Sequence, residues 1–141
     1  WAELPALKAL YRGDMVPKST RYTTEFYDLL DKANDVSGTI KEHTLAGKLD
    51  RAADLEAKWS WLLGERIESK RAKAGFMHSG VREINKARDR LSDIRKEIEG
   101  IVVMPGFTDT QKRQAIDALA VERNALTKKI TIAFRSRQQG Q

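Results

Sequence analysis

Two apolar stripes of equal length, divided by a short Pro-Gly connector, constrain this chain more than any other feature. Met77, Val81, Ile84, Leu91, Ile94 and Ile98 recur at intervals of three, four and seven, with Ala87 and Arg88 filling the gap. Ile116, Leu119, Arg123, Leu126, Ile130 and Ala133–Phe134 then alternate between three and four. Such spacing puts one apolar face along a helix of 3.6 residues per turn. Between the stripes, Gly100 predicts a helix stop and Pro105-Gly106 a turn. Thr108 with Gln111 three residues on predicts a capping box that opens the return helix. Each stripe runs about three heptads, so the economical solution is an antiparallel helical hairpin packed like a coiled coil.

Upstream, Phe26, Leu29, Leu30, Ala33, Val36 and Ile40 predict a helix capped by Ser19 or Thr20, with Gly38 a weak point and Gly47 the stop. Leu49, Ala52, Ala53, Leu55, Trp59, Leu62 and Leu63 predict another. Trp59 and Trp61 are two positions apart and cannot share a helix face. Trp59 fits the Leu55/Leu62 side, which leaves Trp61 as the outward one. Leu4, Leu7 and Leu10–Tyr11 suggest a short helix, broken by Gly13 and Pro17. The expectation is an all-α helical bundle: an arm over 1–19, a bundle over 20–137 and a frayed tail over 138–141. Its helices fall at about 20–46, 48–64, 66–99 and 108–135. Only Ile101–Met104 has any strand character, and it is expected to plug the end of the bundle.

The chain has 141 residues, enough for one domain that buries about two thirds of its unfolded surface. It lacks cysteine, which excludes disulfides and thiolate chemistry. Apolar runs such as Ile101-Val102-Val103-Met104 fall far short of the roughly 20 residues a membrane span needs. The opening Trp1-Ala2-Glu3-Leu4-Pro5 has no basic or apolar leader character, and a fragment of a larger protein is the expected source.

Catalytic chemistry is not legible. The two histidines, His43 and His78, stand in different elements with no second ligand at helical spacing, so no metal is expected and each reads as a structural, exposed or half-buried residue. Glu42-His43-Thr44 and His78-Ser79 are sequence neighbours, and neighbours on a helix diverge. The acids alternate with bases, as in Glu83/Lys86 and Asp89/Arg90, the pattern of a solvated face laced with weak ion pairs. No glycine-rich phosphate loop occurs. The chain reads as a non-enzyme with no cofactor and no small-molecule substrate.

Charge supplies the remaining clue. Lys and Arg number 26 against 20 Asp and Glu, a net charge of +6. Residues 101–141 carry seven cations against three carboxylates, and Arg66, Lys70, Arg71 and Lys73 form a second cluster. An antiparallel hairpin brings Lys73–Arg82 near Ala125–Arg135. Arg66, Lys70, Arg71, Lys73, Lys128, Lys129, Arg135 and Arg137 then converge on the end away from the turn, where they are candidate contacts to DNA. Leu7, Tyr11, Tyr27 and Trp61 are the candidate contacts to a protein partner.

The segments Leu4-Pro5-Ala6-Leu7-Lys8-Ala9-Leu10-Tyr11-Arg12 and Arg21-Tyr22-Thr23-Thr24-Glu25-Phe26-Tyr27 resemble one of the large polyvalent protein-associated domains of bacteriophages and related mobile elements. Leu91 to Ile98, Pro105-Gly106-Phe107-Thr108, Lys112-Arg113 with Ile116 to Leu119, and Asn124-Ala125-Leu126 are similar to the helix, turn and return helix of that family. The likeness spans roughly residues 4–134. It implies a non-catalytic module of a very long phage protein, carried in the virion or acting in DNA ejection. Its partners would be other virion proteins or copies of itself. Its place would be the virion, or the bacterial cytoplasm after expression or delivery.

Overall fold

A computed structural model describes residues 21–141. The 1–19 arm, with Leu7 and Tyr11, lies outside the described residues. Helix α1 spans Arg21–Leu45 and buries the expected stripe from Phe26 to Ile40, with Ser37 included in it. Gly38 does not interrupt it, because burial of Val36 and Ile40 on either side outweighs the ~1 kcal/mol that a helical glycine costs. Gly47, at φ 78°, turns the chain out of the helix. Helix α2 spans Leu49–Lys58 and is followed by a single turn, α3, over Ser60–Leu63.

The helix expected at 48–64 is therefore broken, and Trp59 is the break, at φ −108° and ψ 20°. The kink re-aims the turn that follows, so Trp61, Leu62 and Leu63 all point inward. Trp61 is buried and Trp59 half-buried, which reverses the outward assignment of Trp61.

The helix expected at 66–99 is likewise corrected. Strands β1 (Arg66–Glu68) and β2 (Phe76–His78) pair antiparallel, with Arg66 opposite His78, Ile67 opposite Met77 and Glu68 opposite Phe76. Phe76 and His78 point inward while Met77 between them stays half-exposed, a period of two that overrides the helical spacing from Met77 to Val81. Gly64 and Gly75, at φ 67° and 84°, enter the turns on either side. Helix α4 then spans Ser79–Val103. It continues past Gly100 because Ile98 and Val102 still have a core to enter, and that burial outweighs the ~1 kcal/mol that a helical glycine costs. Ile101–Met104 is neither strand nor plug: Val102 alone is buried, with Val103 and Met104 on the surface.

Helix α5, Asp109–Gln139, starts on the expected capping box. Gln111 donates its backbone N–H to Thr108 Oγ1 at 3.1 Å, and the Thr108 N–H donates to Gln111 Oε1 at 2.9 Å. Caps of this kind contribute about 1 kcal/mol. At the other end α5 runs four residues beyond the expected limit and takes in Gln138 and Gln139, so the frayed tail is also corrected.

Helices α4 and α5 lie antiparallel. Arg90 makes a two-pronged pair with Glu122, Arg137 another with Glu83, and Lys112 Nζ donates to the Val102 carbonyl at 3.1 Å. Both also pack on α1, which shares their apolar stripes, so the packing is that of a bundle with α2, α3 and the strands at one end. The main core joins Phe26, Ile40, Leu62, Leu63, Ile84 and Phe134 from four helices. Toward the connector a smaller core holds only Ile94, Ile98 and Val102 against Ile116 and Ala120, all from α4 and α5. There the two helices extend beyond α1. No helix among the described residues is long and apolar enough to cross a membrane.

Candidate functional site

Two arrangements bring polar chemistry together. The first lies in the main core. Ser37, on the inner face of α1, sits 2.8 Å from His78 Nδ1, and His78 Nε2 sits 2.7 Å from Glu56 Oε2 on α2. The Glu56 carboxylate also accepts from Arg66 Nε at 2.6 Å, and the Arg66 guanidinium lies over the Phe76 ring at 4.0 Å. His78 meets Phe76 edge-on with ring centroids 5.3 Å apart. Which ring nitrogen donates and which accepts along this chain depends on the imidazole tautomer.

Hydroxyl, imidazole and carboxylate in series are the parts of an activated nucleophile. Here the first two are enclosed, with His78 0% exposed and Ser37 2%, and only Glu56 keeps part of its side chain at the surface. What the chain of contacts does is fasten α1, α2, β1 and β2 to one another through a hydrogen-bonded network that runs from buried Ser37 and His78 out to Glu56 and Arg66 at the surface. The histidine expected to be exposed or half-buried is thus fully enclosed. Its neighbours in space come from residues 41 and 22 positions away, not from the adjacent Ser79.

The Glu56 carboxyl is subject to opposing effects. Burial pushes it up, but the hydrogen bonds and charges of Arg66 and His78 together hold it below the usual value of 4.5. A carboxyl depressed in the fold adds stability that is complete above its unfolded pKa and is lost as pH falls through the folded one. Acid titration followed by circular dichroism should therefore show Glu56→Gln losing less stability than the parent chain on descent below pH 4.5. Parallel losses in the two proteins would remove Glu56 from the acid response.

The second arrangement is a groove where α1 begins and the two-helix extension departs. Leu91, Ile94 and Ile98 of α4 line it, with a volume of about 400 Å³. Thr23 and Tyr27 from the first turns of α1 form one wall, and Arg88, Arg95 and Arg123 supply three guanidinium groups. Tyr27 is 41% exposed and packs edge-on against Phe26, so this expected contact residue does reach the surface. Burial draws the Arg123 guanidinium below its ordinary range, with the Tyr27 phenol opposing that effect. The Thr23 hydroxyl oxygen is shut off from solvent and has no hydrogen-bond partner. Nothing in the sequence pointed to a groove as such, although Arg88 and Arg123 stood in both stripes where an apolar residue was due.

The cations expected to gather at the far end behave unequally. Arg66 is held by Glu56, Arg137 by Glu83, and Arg135 donates to the Gln138 side chain. Lys128 lies 5.9 Å above the Tyr22 ring. Lys70, Arg71 and Lys73, in the turn between the strands, are exposed, as are Lys128 and Lys129 on α5. The strands pack on each other and β2 packs on α4, while α5 packs on α1, α3 and α4. No group of three or more His, Asp or Glu among the described residues could hold a metal ion. No family model, curated protein or solved structure matches the chain.

Proposed function

We propose that this chain is a non-catalytic structural and interaction module. One contrast carries the reading. The Ser37 hydroxyl and the His78 imidazole are closed inside the core, with only the Glu56 end of their chain at the surface, whereas the tip of the α4–α5 extension presents Val103, Met104 and Phe107 at 62%, 42% and 51% exposure. Three large apolar side chains within five residues, on a segment that α1 does not cover, favour burial against another protein surface. The resemblance of residues 4–134 to large polyvalent protein-associated domains supplies the setting, a larger phage protein of the virion or the genome-ejection apparatus. Self-association through that tip is the simplest form of the role.

Light scattering of the purified chain at low and high salt, with and without short duplex DNA, tests it. Oligomers that persist at high salt and ignore the duplex are the expected result. A monomer that gains mass only with DNA, and only at low salt, would replace this reading with nucleic-acid binding. In that event charge reversal at Lys70, Arg71, Lys128 and Lys129 should abolish the gain.

A further inference from the structure

The groove between α1, α4 and α5 combines features that the interaction role does not use. Among the described residues its lining holds three guanidinium groups and no carboxylate. Arg88 is paired with the neighbouring Asp89, and Arg123 donates to Asn124. Arg95 is exposed and has no hydrogen-bond or ion-pair partner among the described residues. Like charges gathered around one concavity repel one another, and an anion placed among them removes that cost. Guanidinium suits a carboxylate in particular, because its fixed fork can give two parallel N–H groups to the two oxygens.

The rest of the lining is apolar. Leu91, Ile94 and Ile98 present a hydrocarbon floor, and the Tyr27 ring flanks it. A volume of about 400 Å³ falls in the range of clefts that hold small organic molecules, and clefts between the helices of a bundle are a common place for them. The Thr23 hydroxyl, buried on the same wall without a partner, is a polar group that the fold alone leaves unsatisfied.

We infer that this groove binds a small apolar carboxylic acid, an aryl or short alkyl body with a single carboxylate. The body lies on Leu91, Ile94 and Ile98, and the carboxylate meets Arg95, with Arg88 and Arg123 reinforcing the positive field. Neutral analogues of the same shape keep the floor contacts and lose the charge. Amines of the same shape are repelled.

The experiment uses the full chain with 4-phenylbutyrate, 4-phenylbutanamide and 4-phenylbutylamine, read by titration calorimetry and by NMR of the isoleucine and leucine methyl groups. The acid should move the Leu91, Ile94 and Ile98 methyl signals, and should bind at least ten-fold more tightly than the amide. The amine should leave those signals in place. Arg95→Glu, an exposed change that spares the core, should weaken the acid by at least ten-fold while the amide is unaffected. Arg95→Lys should retain part of the affinity, since the charge stays and the fork is lost. Equal binding of acid and amide, unchanged affinity for the acid in Arg95→Glu, or no movement of the three methyl signals at about 10 mM acid, a concentration that samples affinities weaker than millimolar, would each overturn the assignment. Light scattering of Arg95→Glu keeps this result separate from self-association, which the substitution should leave unaltered.

Discussion

Gly80→Ala should destabilise the chain by about 3 kcal/mol or more, the upper range for overpacking a tight contact. Gly80 is the second residue of α4, where alanine ordinarily helps by close to 1 kcal/mol. The sign reverses here because α4 starts against the backbone of α3. A methyl group at Gly80 would overlap the Leu62 carbonyl oxygen and lie 2.9 Å from the Leu63 carbonyl carbon. Both are main-chain atoms, so no side chain can swing aside, and Leu62 and Leu63 are themselves 0% exposed. Either α3 shifts or the first turn of α4 unwinds. Gly38→Ala and Gly100→Ala provide the contrast. Both glycines are within helices, nothing lies within 4 Å of the added carbon, and each change should add about 0.5–1 kcal/mol. Urea unfolding of the three variants measures all of this. A Gly80→Ala protein as stable as its parent would show that α3 and α4 do not approach this closely.

What was legible in the sequence follows from how local each signal is. The stripe from Phe26 to Ile40, the capping box at Thr108 and the antiparallel return of α5 on α4 depend on residues a few positions apart, and each was readable. The all-α class rested on them. The β1–β2 pair was not readable, because its three-residue strands are shorter than any periodicity can register and Met77 happened to fit the helical count. Trp61 was misassigned for a related reason. A continuous helix would turn it outward, and only the kink at Trp59 brings it in. The buried network was half visible. Ser37 stands among buried residues of α1, a polar side chain on an apolar face that calls for a partner. Which partner it finds depends on where α2 and β2 come to rest, and no spacing encodes that. Arg88 and Arg123 carried the corresponding clue to the groove. A cation within an apolar stripe marks a place where the stripe meets something other than core, and both side chains line the cleft.

His78→Leu should destabilise by about 2–4 kcal/mol, even though leucine fills a similar volume and is more apolar. The reason is what it leaves behind. Ser37, 2% exposed, loses the ring nitrogen 2.8 Å away that is its side-chain partner. A buried polar group stripped of its partner costs about 1–3 kcal/mol, and the lost charge-assisted bond to Glu56 adds to that. Glu56 itself stays satisfied, because Arg66 still donates to it and part of its side chain reaches water. Ser37→Ala alone strands the buried ring nitrogen while His78 keeps Glu56, and should cost about 1–3 kcal/mol. The double variant separates a network from a sum of parts. With hydroxyl and imidazole both gone, nothing polar is stranded between α1 and β2, so Ser37→Ala/His78→Leu should be as stable as His78→Leu or more so. Urea unfolding of the four proteins gives the coupling directly, and simple additivity would mean that the two side chains touch without depending on each other. The pH response carries an independent check. Once His78 is leucine, the Glu56 carboxyl loses one of the two partners that hold it low, so its share of the acid-dependent loss should shrink without vanishing. A network that joins four elements thus has two separable signatures, a non-additive stability cycle and a diminished acid transition.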